Sequence, residues 1–219
     1  MTDWTTAAEL ATAAGTMTLA VATFASVRSA NRAARTAERA FQVALRPVLM
    51  PSRAQDHSEP VMWREGRWSE VKGGRAVVEV DAETVFLIVS LRNAGSGIAV
   101  LQAWTVRPGQ MYGSEPPPPI ETFRRQQRDL YVPAGDVGFW QGALRGADEP
   151  LVADAQAAVA AQQTLTLHLL YSDHEGGQRT VSRFLLVHDD DPTSDADWLV
   201  SVSNHWAVTP DGTLRSPRG

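Results

Sequence analysis

TLTLHLLY, from Thr164 to Tyr171, is the stretch whose reading decides the fold of this 219-residue chain. Leu165, Leu167, Leu169 and Tyr171 fall on one side of an extended backbone and Thr164, Thr166 and His168 on the other, the period of two of a strand with one face toward a core. Asp173 to Gly177 interrupts the pattern with turn-forming residues, and Arg179 to His188 resumes it. The two runs are therefore expected to pair as an antiparallel hairpin.

The same texture extends in both directions. Downstream, Trp198 to Val202 and His205 to Val208 read as closing strands, and residues 209–219 as a polar, disordered tail. Upstream, Pro150 to Gln162 is Ala- and Gln-rich and predicts a short helix over one end of the sheets, with Asp148 at its N-cap. Val137 to Gln141 and the second half of Phe123 to Val132 are strand candidates, whereas Pro108 to Pro119 ends in four prolines and must be an irregular or extended loop.

Ile98 to Val106 is a strand carrying Trp104. Before it, Val85 to Arg92 is apolar on both faces, with Val85, Leu87, Val89 and Leu91 on one and Phe86 and Ile88 on the other, and so belongs in the middle of a sheet. Ala76 to Val80, the pair Val61 to Trp63 and Trp68 to Val71 around Glu65-Gly66, and Val48 to Met50 complete the set. On the order of seven to nine short strands imply a mainly β fold, an immunoglobulin-like antiparallel β-sandwich over residues 47–208.

The N-terminal part follows a different rule. Leu10 to Val27, LATAAGTMTLAVATFASV, carries no charge and as a helix would span about 27 Å, just short of a ~30 Å hydrocarbon core. Alanine and threonine dominate it, so its hydropathy alone is marginal. Ala14, Thr18, Ala22 and Ser26 recur every fourth position as a ridge of small residues that favours helix self-association in a bilayer. Residues 1–9 are a short polar N-terminus with Trp4 where an interfacial aromatic would sit. Residues 28–46 continue as a basic helix that Pro47 stops, with Arg28, Arg32, Arg35 and Arg39 on one face at the membrane interface. One long N-terminal helix, a membrane span from 10 to 27 plus its basic extension, thus precedes the sandwich. One alternative is an amphipathic helix packed on a soluble core, with Leu10, Met17, Val21 and Phe24 forming its stripe; another is a soluble or peripheral homo-oligomer in which residues 10–46 form a helical bundle.

Charge is distributed to match. The chain carries a net −5, yet Arg28 to Arg46 holds five arginines against Glu38 alone, and from Pro47 onward 15 basic face 22 acidic side chains. A basic collar on an acidic body suits a lipid bilayer with an anionic leaflet and argues against nucleic acid as a partner. The positive-inside rule then places the N-terminus outside and the C-terminal domain in the cytoplasm. The absence of cysteine rules out disulfides, thiolate zinc sites and thiol nucleophiles.

Apparent chemical motifs fail on their own requirements. Gly95-Ser96-Gly97 lacks the third glycine of a dinucleotide fingerprint, Val100 standing there, and a strand follows instead of a helix. His174-Glu175-Gly176-Gly177-Gln178 departs from a zinc-protease motif at its last position and contains two glycines. Asp189, Asp190, Asp191, Asp195 and Asp197 form a solvated acidic run, since an EF-hand would need Gly and Glu where Ser194 and Val200 stand. His57, His168, His188 and His205 are scattered singly, and the tryptophans read as core or sheet-edge residues. No catalytic, cofactor or metal residue is assigned, and the chain is not expected to be an enzyme. A hydrolase with a site assembled from distant His, Asp and Ser residues is a third reading.

The run VRSANRAARTAERAF, the helix stop Leu45-Arg46-Pro47-Val48-Leu49 and the later Leu91-Arg92-Asn93-Ala94-Gly95-Ser96-Gly97-Ile98-Ala99 resemble a broad group of uncharacterised bacterial single-pass membrane proteins with a small β-sandwich domain. The resemblance covers the first half best and implies no catalytic residue. The expected role is a membrane-anchored interaction module that binds an unidentified protein partner, through its sheet faces or a polyproline surface at Pro116 to Pro119.

Overall fold

In the computed structural model, described for residues 3–113, 115–146, 150–190, 198–209 and 211–215, the chain divides after Ala44 into two units. The first is a single helix, α1 (Asp3–Ala44), 42 residues long. It begins within the segment expected to be a polar extension and ends three residues before Pro47, without an interior proline to break it.

The second unit contains β1 (Leu49–Pro51), β2 (Glu59–Met62), β3 (Trp68–Val71), β4 (Arg75–Asp81), β5 (Thr84–Asn93) and β6 (Ala99–Pro108). A 3-10 turn at Ile120–Thr122 leads to β7 (Arg124–Arg125), β8 (Tyr131–Val132) and β9 (Val137–Arg145). Helix α2 (Pro150–Ala160), β10 (Leu165–Ser172), β11 (Arg179–His188), β12 (Trp198–Val208) and β13 (Leu214–Arg215) follow. The fold is mainly β and every pairing is antiparallel.

One layer is centred on β5, which pairs β9 along one edge and β4, then β1, along the other. The other layer runs β12, β11, β10, β6, with β7 and β8 on the outer edge of β6. The layers join where Trp198 and Leu199 of β12 pair with Ala76 and Arg75 of β4, so one sheet bends around a corner and faces itself. That arrangement is compatible with an immunoglobulin-like sandwich. Its opposite side is open, with β9 and the β7–β8 segment as terminal strands of the two layers.

The core lies between the layers. Val85, Leu87, Val89 and Leu91 of β5 meet Leu165, Leu167, Leu169 and Tyr171 of β10, as the alternation predicts. Phe86 and Ile88, on the back of β5, pack with Val61, Trp63 and Val71 of the β2–β3 hairpin. Val152, Ala155 and Ala158 of α2 are buried against the main cluster, consistent with a helix over one end of the sheets. Asp148, its expected N-cap, lies outside the described residues.

Several details depart from expectation. Thr166 and His168 point away from the main core but are fully buried, because Phe123, Trp206 and the 109–119 loop cover that face. Within that loop Pro117 and Pro118 are buried, which leaves Pro116 and Pro119 exposed and removes a continuous polyproline surface. β12 is one strand rather than two, its register slipping so that Ser203 is an extra residue, and this bulge is what interrupts the sequence pattern. The segment expected to be a disordered tail begins with a turn in which Asp211 accepts from Thr213, and Leu214–Arg215 then pairs with β12. β6 carries a second bulge at Gln102, beyond which Trp104 and Val106 face the core in place of odd-numbered residues.

The entry of the chain into this unit is fastened by one side chain. Asn93, fully buried, accepts from Val48 N (3.1 Å) and Gly95 N (3.0 Å) and donates to Gly97 O (2.6 Å) and Val132 O (3.0 Å). Ala94 N donates to Val48 O and Ser96 N to Arg46 O, at 2.8 and 3.2 Å. A methyl group at Gly95 would collide with the backbone of Arg46 and Val48, and one at Gly97 with that of Leu45. These glycines therefore permit a close backbone approach, bringing together two of the three motifs on which the resemblance rests.

Candidate functional site

The first candidate is the surface of α1. Its segment Thr6–Glu38 is 33 residues long, with a mean hydropathy of 1.5 in its apolar window and none of that window buried. By length and composition it is a helix able to cross a membrane. Leu10, Met17, Leu19, Val21, Phe24 and Val27 are 53% to 72% exposed, and Ala14, Thr18, Ala22, Ser26, Arg28, Arg32 and Arg35 are exposed as well. Arg39 belongs to the helix backbone, but its side chain lies outside the described residues.

The threonines, whose hydroxyls weaken the hydropathy, are satisfied within the helix. Thr12, Thr16, Thr18 and Thr23 each donate to the carbonyl four residues back, at 2.8 to 2.9 Å. An internally bonded hydroxyl costs far less in hydrocarbon than a free one.

The second candidate, which no local motif announces, is a cavity of about 540 Å³ at the open side of the sandwich. Its wall is drawn from Trp63 and Arg64 after β2, Trp104 of β6, Arg124 to Arg128, and Gln141 to Ala143 with Arg145 of β9. Gln126 bridges the two layers there: Trp140 Nε1 donates to its Oε1 (3.1 Å) and its Nε2 donates to the Gln141 carbonyl (3.0 Å). A Cβ at Gly142 would strike the Trp140 and Trp104 rings, so glycine lets both indoles reach the β9 backbone.

Five arginines line this cavity, Arg64, Arg124, Arg125, Arg128 and Arg145, and no carboxylate among the described residues does. The Arg124 guanidinium lies 5.8 Å from the Trp104 ring centroid, and burial lowers its affinity for the proton. Arg145 Nη2 reaches Glu65 Oε1 at 2.9 Å outside the wall. The Gln141 side chain, 9% exposed, has an Oε1 with no hydrogen-bond partner among the described residues.

The scattered histidines go to different places. His57 pairs with Glu59 (2.8 Å) and His188 with Asp190 (3.1 Å). His174 lies in a turn held by Asp173, whose carboxylate accepts from Gly177 N and Gln178 N, so the HExxH-like stretch forms no helix. His205 Nδ1 meets Ser182 Oγ at 2.6 Å, and Ser182 Oγ meets Tyr171 OH at 2.9 Å. Ser182 is fully buried, and the charge that acts on His205 is the Arg46 guanidinium, opposite in sign to the carboxylate that orients a hydrolytic histidine. Burial, then that charge, lowers the His205 pKa.

His168 is held neutral, at about 3, by burial first and then by the Arg183 and Arg107 charges. Its Nε2 accepts from Arg183 Nε at 3.1 Å. Arg183, itself fully buried, stacks 4.8 Å from the Trp206 centroid and donates to the Gly113 and Glu115 carbonyls, which pins the 109–119 loop to the sheet. No group of three or more metal-ligating side chains forms among the described residues; residues 191–197 of the acidic run lie outside them.

Comparison with protein-family models, with curated proteins and with solved structures finds no match for this chain. What is shown is one N-terminal apolar helix followed by a β-rich domain.

Proposed function

We propose that this chain is a single-pass membrane protein whose N-terminal helix holds a β-sandwich interaction module at the cytoplasmic face of the cell membrane, where it binds a protein partner. The observation that carries this reading is a 33-residue helical segment whose apolar window is wholly exposed. In water such a surface costs roughly 25 cal/mol for each Å² left uncovered, and a bilayer covers it without any further protein. Arg28, Arg32 and Arg35, with Arg39, follow the uncharged stretch, while Asp3 and Glu9 precede it, which supports the N-out orientation. The resemblance of its motifs to bacterial single-pass proteins points the same way.

The small-residue ridge supports self-association of the anchor. Thr18 spends its hydroxyl on the Ala14 carbonyl at 2.8 Å, so at that level the ridge offers a methyl group to a close helix-helix contact rather than a hydrogen bond. The full-length protein is expected to pellet with membranes, to resist carbonate extraction and to release its β domain to protease only from inside-out vesicles. A soluble oligomer in the supernatant would instead establish the rival, a bundle of N-terminal helices. Protein partners are identified by cross-linking in membranes followed by capture.

A further inference from the structure

We propose that the hydrogen-bonded series Leu49 N, Tyr171 OH, Ser182 Oγ and His205 Nδ1 is a pH-sensitive latch, which holds the entry segment, residues 45–51, on the β domain while His205 is neutral and loosens it when His205 takes up a proton. Its three links are 3.2, 2.9 and 2.6 Å long and join β1, β10, β11 and β12. All four residues belong to the β-rich unit, so the latch stands wherever α1 resides.

Counting protons gives every link a direction. The Leu49 N–H can only donate, so the Tyr171 oxygen accepts from it. Tyr171 is fully buried, burial raises its pKa so that the phenol keeps its proton, and the acceptor that meets this proton among the described residues is Ser182 Oγ. Ser182, also fully buried, then passes its own proton to His205, whose Nδ1 accepts and carries no hydrogen. A proton on Nδ1 would put donors at both ends of the series and leave one buried hydroxyl hydrogen, of Ser182 or of Tyr171, without an acceptor. The charge that acts on the ring is the Arg46 guanidinium of the entry segment, which opposes an imidazolium, while β10 and β11 face it with the uncharged Tyr171 and Ser182.

Both penalties vanish when residues 45–51 leave the sheet, because Tyr171 then meets water and Arg46 moves off. The released state stays a minority at neutral pH, since Leu49 is fully buried and Asn93 grips Val48. It nevertheless binds the proton more readily than the closed state, and linkage makes acid favour it, by at most about tenfold for each pH unit below the ordinary histidine value near 6.5.

The test measures amide hydrogen exchange of the full-length protein in neutral detergent between about pH 7.5 and about pH 5, corrected for intrinsic exchange rates. Protection of residues 48–52 is expected to fall by up to about tenfold per pH unit below about 6.5, while peptides from β5 and β10 keep theirs. His205→Asn sets an amide oxygen near the place of Nδ1, an acceptor for Ser182 that does not titrate, and should flatten the profile; its melting temperature at neutral pH verifies the fold. Arg46→Gln, at a half-buried site, keeps the histidine and removes the opposing charge, so the fall should move to higher pH. The proposal is overturned by pH-independent protection of the entry segment, by a His205→Asn profile as steep as that of the unaltered protein, by an Arg46→Gln profile that does not move upward, or by loss of protection that reaches β5 and β10 at the same pH.

Discussion

His168 shows how much one buried side chain can set. Arg183 Nε–H donates to its Nε2, so the ring must keep a lone pair there, and a proton at that atom would put two donors face to face. Its pKa of about 3, against an ordinary value near 6.5, means that below about pH 6.5 the unfolded chain takes up a proton that the folded one refuses. The contribution is fully present above about pH 6.5 and is lost as pH falls toward 3, with a slope of at most ~1.4 kcal/mol per pH unit. His205, lowered for the same first reason, adds to it. His168→Gln keeps an acceptor for Arg183 but does not titrate, so denaturation midpoints between about pH 4 and 7 should fall less steeply in the variant; equal slopes would refute the assignment. None of this was legible beforehand. The alternation marked His168 as facing away from the core, and only folding brings in Arg183 from the next strand and the loop that it pins. The arginine cavity escaped for the same reason, since its wall is assembled from four separate segments and only Arg124, Arg125 and Arg128 are neighbours in sequence.

Among the elements, those whose two faces differ or are both apolar could be read directly. β5 and the β10–β11 hairpin fall where the period of two places them, because burial on a pleated face leaves little freedom of register. Elements shaped by long-range contacts could not: β7 is two arginines whose strand geometry comes from pairing with Ala103 and Trp104. The bulges at Gln102 and Ser203 likewise shift a pattern in ways visible only against the partner strand. Nothing local in the loop from Asn93 to Gly97 announces that it acts as a clasp. Replacing Gly97 by alanine sets a methyl group against the Leu45 backbone and should cost about 2 kcal/mol or more in a denaturant titration. Gly177→Ala meets its nearest neighbour, Asp173 Oδ2, at an ordinary 3.6 Å and should cost less than about 1 kcal/mol by the same measurement.

For the whole molecule, the division after Ala44 separates an exposed helix from a unit with its own core. The edge of that unit is nevertheless sharp. Leu49 is fully buried and its N–H donates to Tyr171 OH at 3.2 Å, so β1 belongs to the core despite its three residues. A chain beginning at Leu45 should therefore melt cooperatively and remain soluble, whereas one beginning at Ser52 loses Leu49, a deletion worth about 2 to 5 kcal/mol by itself, and should fail to fold by circular dichroism. The clasp on residues 45–48 carries a mechanical consequence. Those residues are the first after α1, so no slack separates the last helical residue from the first one gripped by the domain. Tension reaching Leu45 meets the Ser96 and Asn93 bonds to Arg46 and Val48 first, and the three-residue β1 ladder only after them.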